Sequence, residues 1–129
     1  MNMAENSTKG QIEAEISEAV VKFEKEFMGR GPLETKTYLL DDVVLVRLKG
    51  VLTKAEQQLA QTGDNVARGR QLIKQVRIEL LEKGRPLLDA MVYDITGKKA
   101  KSLHTDISTI TGDRVIIFVL DSPPKFKSS

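Results

Sequence analysis

The sequence predicts an α+β domain in which two β-hairpins form a four-stranded, mostly antiparallel sheet with helices on one face. Two observations support this fold class. An amphipathic helical pattern, a glycine break and two short β-rich segments follow one another in residues 11–49, and the same order recurs in residues 65–120. A further helical stretch separates the two copies. The predicted element order is therefore α-β-β-α-α-β-β, a pseudo-repeat whose strand order is not fixed by hydrophobic patterning.

Length and composition fit a single domain. The chain has 129 residues, of which 40% are hydrophobic and 29% are charged, as in ordinary soluble globular proteins. We expect one domain over residues 10–121. It is flanked by a flexible N-terminus, residues 1–9, and by a flexible C-terminal tail, residues 122–129, whose Ser, Pro and Lys residues do not sustain regular structure.

Charge and cysteine content exclude several function classes. Twenty Lys and Arg against 18 Asp and Glu leave a net charge of +2, which does not indicate nucleic-acid binding by itself. The chain has no cysteine, so disulfides, thiolate nucleophiles and cysteine-ligated metals are excluded. No apolar run approaches the roughly 18 residues of a membrane span. We expect a cytoplasmic protein that is peripheral to the inner face of the membrane if a membrane partner recruits it.

The first half of the chain predicts a helix followed by a hairpin. Thr8 and Gln11 have the spacing of a capping box, and glycines at 29 and 31 with Pro32 end the helix near residue 28. Residues 35–40 and 43–48 are predicted strands joined at Asp41-Asp42, with the second strand inside the sheet. The apolar stripe of the helix comprises Ile12, Ile16, Val20, Phe23 and Phe27.

The second half repeats this order after a short helix. Thr53 and Glu56 form a second capping-box pattern, which predicts a short helix ending near Gln61. Asp64 is predicted to cap a long helix, in which Pro86 predicts either a kink or two helices that meet there. The second hairpin is predicted over residues 99–106 and 114–120, with the latter as a central strand. The predicted apolar stripe of the long helix comprises Val66, Ile73, Val76, Leu80, Leu87, Met91 and Ile95.

Gly29, Arg30 and Gly31 are a candidate anion site. Glycine amides and a guanidinium can hold a phosphate or carboxylate. Known phosphate loops precede a helix, however, whereas this segment follows one. We favour the interpretation that it ends the helix, and Arg30 is the residue to test first.

A second candidate pairs His104 with Asp106, which lie two residues apart and so on one face of a predicted strand. Such a pair can share a metal ion or a proton. The chain has only one histidine and no cysteine, so a metal site would need distant carboxylates. We favour a hydrogen bond at a strand end and expect neither a metal nor another cofactor.

A basic stripe on the long helix is the third candidate. Arg70, Lys74 and Arg77 follow helical spacing on a face predicted to be exposed. Such a stripe can bind RNA, DNA or an anionic surface. Aromatic content is only 5% and no groove-reading motif is present, so we favour a solvated helix face and do not expect nucleic acid as the main partner.

Several separated motifs occur in a characteristic order along the chain. They are Gly29–Pro32, Tyr38–Asp42, Gly50–Glu56, Thr96-Gly97, His104–Ile107 and Val119-Leu120. Together they resemble a family of small bacterial proteins named after the C component (MpsC) of a sodium-translocating, membrane-potential-generating system. The resemblance covers about residues 10–121. It implies association with membrane components that support membrane potential and inorganic carbon uptake, and it supplies no catalytic residues.

These observations favour a non-catalytic accessory or regulatory protein that binds a protein partner or a small anion. We expect a homodimer, because small domains of this type leave sheet edges and apolar faces that a second copy completes. A membrane protein of an ion or carbon uptake system is a further expected partner. The alternative is a nucleic-acid or nucleotide-binding module. A small hydrolase or transferase ranks third, since it requires Arg30, His104 and an aspartate to meet.

Overall fold

A computed structural model describes residues 3–128 of the chain. The predicted order of helices and strands is confirmed, with a short 3-10 helix added in front at Met3–Asn6. The elements are α1 (Lys9–Met28), β1 (Glu34–Leu40), β2 (Val43–Lys49), α2 (Lys54–Gln61), α3 (Val66–Thr96), β3 (Ala100–Ile107) and β4 (Arg114–Leu120).

The four strands form one sheet in the order β1-β2-β4-β3, and every neighbouring pair is antiparallel. Each hairpin places its second strand at the centre, so the two α-β-β halves contribute to the sheet in equivalent ways. The predicted inner positions of β2 and β4 are confirmed. The pairing sets Leu45 between Tyr38 and Ile117 on one side of the sheet.

The helices cover the other side of the sheet, which we call the inner face. Alternate residues of β2 and β4 point into the hydrophobic core there, because successive side chains of a strand point to opposite faces. Helix α1 lies against β1 and packs on α3. The fully or nearly fully buried strand residues are Val44, Val46, Leu48, Ile116, Phe118 and Leu120.

Local capping signals explain where the helices begin and end. Thr8 and Thr53 each form the predicted capping box, and Gly29 ends α1 in the left-handed conformation with φ of 87°. The predicted cap of the long helix was wrong by one residue. Asn65, not Asp64, accepts the backbone N–H of Arg68 at 3.1 Å, because a cap must lie three residues before the amide that it satisfies.

Helix α3 corrects two predictions. It continues through Pro86 as one helix, so the alternative of two helices is wrong. The predicted apolar stripe was wrong in part. Ile73 is buried and Leu80 and Ile95 pack against the core, but Val76 and Leu87 are 50% and 38% exposed. Glycines and one arginine, which a hydrophobic pattern ignores, occupy much of the buried face. That face comprises Gly69, Ile73, Arg77, Leu81, Gly84, Leu88, Val92 and Thr96.

Gly84 of α3 lies directly against the aromatic side chains of α1. A Cβ atom at this position would overlap the ring of Phe23, which itself stacks on Phe27 with ring centroids 4.7 Å apart. Only glycine permits this approach of the two helices.

The C-terminal segment runs back to the start of α1. The backbone N–H of Lys127 donates to the carbonyl of Ser7 at 2.7 Å, and Lys127 forms an isolated parallel bridge with Thr8. Pro124 is buried. The segment therefore contacts the N-terminal segment, while the flexibility of both termini stays a prediction.

Within residues 3–128, none of the helices has both the length and the apolar character needed to cross a bilayer.

Candidate functional site

Four charged side chains from four elements meet beneath the inner face of the sheet. They are Glu24 of α1, Glu56 of α2, Arg77 of α3 and Arg114 of β4. Glu24, Arg77 and Arg114 have side-chain exposures of 0%, 3% and 2%, so this ion cluster is shielded from water. Buried charges are tolerated when they are paired, and these residues alternate in sign.

Arg77 is at the centre of the ion cluster. Its Nε and Nη2 donate to the two oxygens of Glu56 at 2.8 and 2.7 Å, and Nη2 also donates to the carbonyl of Val51 at 2.9 Å. Glu56 in turn accepts the backbone N–H of Thr53 at 2.9 Å. One carboxylate thus caps α2 and neutralises an arginine of α3, which fixes the two helices relative to each other.

Glu24 has looser contacts. Glu24 Oε1 lies 3.5 Å from Arg77 Nη1, and Glu24 Oε2 lies 3.5 Å from Arg114 Nη1. Glu24 Oε1 and Arg77 Nη1 are buried without a hydrogen-bond partner. Arg114 is held in place on its other side, where Nε donates to Thr105 Oγ1 at 3.1 Å. The Glu24 carboxylate is therefore desolvated with weak compensation.

The pKa values of Glu24 and Glu56 reflect the looser contacts of Glu24 and the closer hydrogen bonds of Glu56. Burial raises the pKa of Glu24, and the attraction of Arg114 and Arg77 offsets only part of the effect. Burial also acts to raise the pKa of Glu56, but its hydrogen bonds from Arg77 and Thr53 outweigh burial and hold that pKa below its ordinary value. Burial lowers the pKa of the Arg114 guanidinium, against the attraction of Glu24.

A small cavity adjoins the cluster between α3 and the adjacent ends of β3 and β4. Its volume is about 40 Å³, close to the roughly 30 Å³ that one water molecule occupies. Lys74 and Asp106 form an ion pair at 3.4 Å beside it. The cavity therefore has room for a water molecule, and a wider depression of about 350 Å³ adjoins it at Lys74, Asp106 and Arg114. It is lined by Lys74, Arg77, Ile78, Thr105, Asp106, Ile107 and Arg114.

The predicted anion site at the end of α1 lies elsewhere. Arg30 turns inward, with Nη1 donating to the carbonyl of Leu52 at 3.1 Å and Nε to that of Gly31 at 3.3 Å. Gly29 is the C-cap of α1, and a Cβ on Gly31 would lie 2.9 Å from Cε of Lys25. Arg30 thus joins the end of α1 to the segment before α2, at the residue next to Val51, whose carbonyl Arg77 binds.

The three residues of the predicted basic stripe have three different partners. Arg70 Nε donates to the carbonyl of Ala60 at 3.0 Å, and Lys74 pairs with Asp106. Arg77 is only 2% exposed, so its placement on an exposed stripe was wrong. The physical reason is that it follows Ile73 by four residues and shares its buried face.

His104 and Asp106 share one face of β3, as their spacing predicted, opposite Ile117 and Val115. His104 is exposed. The backbone N–H of Ile107 donates to Asp106 at 2.8 Å, and this bond followed by Lys74 holds the pKa of Asp106 below its ordinary value. In the part of the chain that the structure describes, no three His, Asp or Glu side chains are grouped as metal ligands.

Sequence reasoning missed Glu24 and Arg114 and recognised Glu56 only as a cap. A usable signal existed in two cases. Glu24 follows Val20 by four residues, and Arg114 precedes Ile116 by two, so both charges are in phase with buried apolar positions.

The second notable surface is the side of the sheet that none of the helices within residues 3–128 covers, which we call the outer face. Its central residues are apolar, and Leu40, Tyr38 and Val115 are 54%, 37% and 36% exposed. Lys36 and Arg47 lie at its β1-β2 side and Asp106 at its β3 side. The apolar residues of the outer face are Tyr38, Leu40, Val43, Leu45, Val115, Ile117 and Val119.

Comparison with known proteins identifies relatives of this chain. The model of the family "Na+-translocating membrane potential-generating system (MpsC)" matches residues 8–122. The chain is 44% identical to the uncharacterized protein YbcI of Bacillus subtilis (strain 168) over 113 residues, which are 88% of each chain. It is 27% identical over 109 residues to the uncharacterized protein YrhF of the same strain, covering 83% of this chain and 85% of that protein.

No solved structure is significantly similar to this chain. The family model nevertheless spans nearly all of the α+β domain, from the cap of α1 to the residues just after β4. This chain belongs to the MpsC family.

Proposed function

We propose that this chain is a non-catalytic cytoplasmic accessory protein that acts through protein–protein contacts, and that its outer face binds a second copy. The observation that carries this proposal is the outer face itself. A largely apolar sheet surface without a helix over it is typical of a surface that another protein covers.

A twofold rotation about an axis parallel to the strands would set β1 over β3 of the second copy and β2 over β4. The register then places Leu45 of each copy over Ile117 of the other, so apolar residues meet at the centre of the outer face. In the next row it places Lys36 over Asp106 of the other copy, which pairs opposite charges. Arg47 of that row faces an apolar residue, so the complementarity is greatest at the apolar centre.

The ion cluster supports an accessory role over a catalytic one. Its charges neutralise one another within the chain, so they are engaged in holding the elements together. A structural function in orienting three helices on the sheet accounts for every residue of the cluster.

Membership of the MpsC family supports a role beside the membrane components of an ion-translocating system. We infer that the protein meets these components at the inner face of the membrane. The nucleic-acid alternative receives less support, since Arg70, Lys74 and Arg77 donate to partners within the chain.

Sedimentation of purified protein tests the dimer. We expect the wild type to be dimeric and Ile117→Lys to be monomeric, because a lysine at the centre of the outer face would be buried without a counter-ion. Ile110→Lys is the matched control, because Ile110 is 72% exposed in the loop before β4. A monomeric wild type across the micromolar range would overturn the proposed interface.

A charge reversal at Lys36 tests the orientation of the two copies. Lys36→Asp should weaken the dimer, because it sets a carboxylate over Asp106 of the other copy and leaves the contacts of Asp106 with Lys74 and the Ile107 amide in place. Membrane flotation tests the accessory role: we expect the protein to float with membranes from its own cells but not with protein-free vesicles of the same lipids.

A further inference from the structure

A groove runs along the free edge of β1, between this strand and α1. Strand β1 is at the end of the sheet, so the backbone groups that point away from β2 have no neighbouring strand. These groups belong to alternate residues of an antiparallel strand. The N–H of Leu39 is one of them, since it donates to Glu13 at 2.8 Å, and by alternation those of Thr37 and Thr35 point the same way.

Helix α1 is held close to β1 only along the second half of the strand. There Glu13 binds the Leu39 amide, and the hydroxyls of Ser17 and Thr37 are 2.7 Å apart. Towards Pro32 the helix and the strand leave a groove of about 430 Å³. This groove has the size of a ligand pocket. It is lined by Ser17, Glu18, Val21, Lys22, Lys25, Pro32, Leu33, Glu34 and Thr35.

The groove offers unpaired polar groups beside apolar surface. Thr35 Oγ1 is buried without a hydrogen-bond partner. Leu33 is 79% exposed at the rim. A free strand edge with an adjacent helix is a known arrangement for binding an extended peptide as an added strand.

The charges of the groove select the peptide. Among residues 3–128, Lys22 and Lys25 form no ion pair with a carboxylate. Of the two acids that line the groove, Glu34 pairs with Lys49 at 3.6 Å, which leaves Glu18 against two lysines. The side chains that line the groove therefore carry an excess of positive charge.

We propose that this groove binds an extended, acidic segment of a partner protein, which pairs with β1 at Thr35 and places carboxylates near Lys22 and Lys25. The groove shares Glu34 with the outer face but none of the apolar residues that the proposed dimer would bury. The C-terminal segment of this chain is not its occupant, since Lys125 and Lys127 repeat the charge of the groove.

Fluorescence anisotropy with a labelled short peptide of alternating valine and glutamate tests the site. We expect saturable binding, little binding of the matching valine–lysine peptide, and an affinity loss of at least about tenfold in the Lys22→Glu, Lys25→Glu double variant. Lys54→Glu with Lys83→Glu is the control, because it changes net charge equally at exposed positions outside the groove. No binding of the glutamate peptide, or equal loss in both double variants, would refute the proposal.

Thr35→Pro separates strand addition from simple charge attraction. It removes one outward N–H while proline remains acceptable on a sheet edge. We expect weaker peptide binding, and in the wild type slower amide exchange at Thr35 when the peptide is bound. Unchanged affinity together with unchanged exchange would exclude strand addition. The Ile117→Lys variant should bind the peptide normally, so failure of the dimer and failure of the groove are distinguishable.

Discussion

Arg77 of α3 holds Glu56 of α2 in a paired arrangement of two hydrogen bonds, 2.8 and 2.7 Å long. Glu56 is also the third residue of α2, and its carboxylate accepts the backbone N–H of the helix cap, Thr53, in the capping box. Capping boxes usually satisfy backbone groups at a solvated helix end. In this protein the box extends into a buried ion pair, so the start of α2 and the middle of α3 are specified by the same carboxylate.

We predict that Arg77→Met destabilises the protein by about 3–5 kcal/mol, because it leaves Glu24 and Glu56 without their shared cation in a buried site. Urea unfolding monitored by circular dichroism measures the change. Arg68→Met is the control, since Arg68 is exposed on the same helix and its loss should cost less than about 0.5 kcal/mol. Equal effects of the two substitutions would contradict a stabilising ion cluster.

The raised pKa of Glu24 predicts a pH-dependent stability. Above the ordinary value of 4.5 the unfolded chain releases this proton while the folded protein retains it. The folded state then binds more protons, so the contribution of Glu24 to the free energy of unfolding decreases as pH rises through this window. Below 4.5 both states are protonated and the contribution is constant.

Glu24→Gln removes this dependence, and unfolding measured from pH 4 upward gives the difference between variant and wild type. We expect the wild type to lose stability relative to Glu24→Gln as pH rises. The groups that face Glu24 are Arg114, Arg77 and Glu56, and they remain in both proteins. Glu26→Gln, at an exposed position two residues along α1, should show no such trend. The opposite slope would mean that the two arginines outweigh burial.

Arg30 was the first candidate for anion binding, and its contacts predict a structural effect. Arg30→Ala should lower the free energy of unfolding by about 1 kcal/mol, because the carbonyl of Leu52 loses the shorter of its hydrogen bonds and keeps only that from Gln57 at 3.3 Å. Arg30→Lys distinguishes the two roles. A lysine keeps the charge for an anion but cannot make both backbone contacts of the guanidinium. We therefore expect Lys to be nearly as destabilising as Ala in thermal unfolding, and full rescue by Lys would argue against the structural role.

The fold was predictable because its signals are local. The capping boxes at Thr8 and Thr53, the glycine at 29 and the two-residue turn at Asp41-Asp42 each specify a boundary within a few residues. The central position of β4 followed from its six consecutive apolar residues. Strand order depends on contacts between distant segments, and the hydrophobic pattern contains no information on them.

The ion cluster was not predictable in the same way. Its members are 21 to 90 residues apart in sequence, and each alone resembles a surface charge. Arg77 was assigned to an exposed stripe because the predicted buried face of α3 included the apolar residues Val76 and Leu87. Both residues are exposed, so that prediction gave the helix the wrong orientation about its axis. Gly84, which allows the helices to approach, adds nothing to a hydrophobic pattern.

The close approach at Gly84 gives the last prediction. Alanine is a better helix former than glycine by about 1 kcal/mol, so Gly84→Ala would stabilise an isolated α3. In the folded protein the new methyl group overlaps the ring of Phe23, which is fully buried and has no room to move. We expect the overlap to dominate and Gly84→Ala to lose about 1–3 kcal/mol in thermal or urea unfolding. Gly10→Ala in α1 is the matched control, because nothing lies within 4 Å of its added Cβ and only the helix preference should act. Opposite signs for the two substitutions would show that packing of α1 on α3, not helix propensity, determines the residue at position 84.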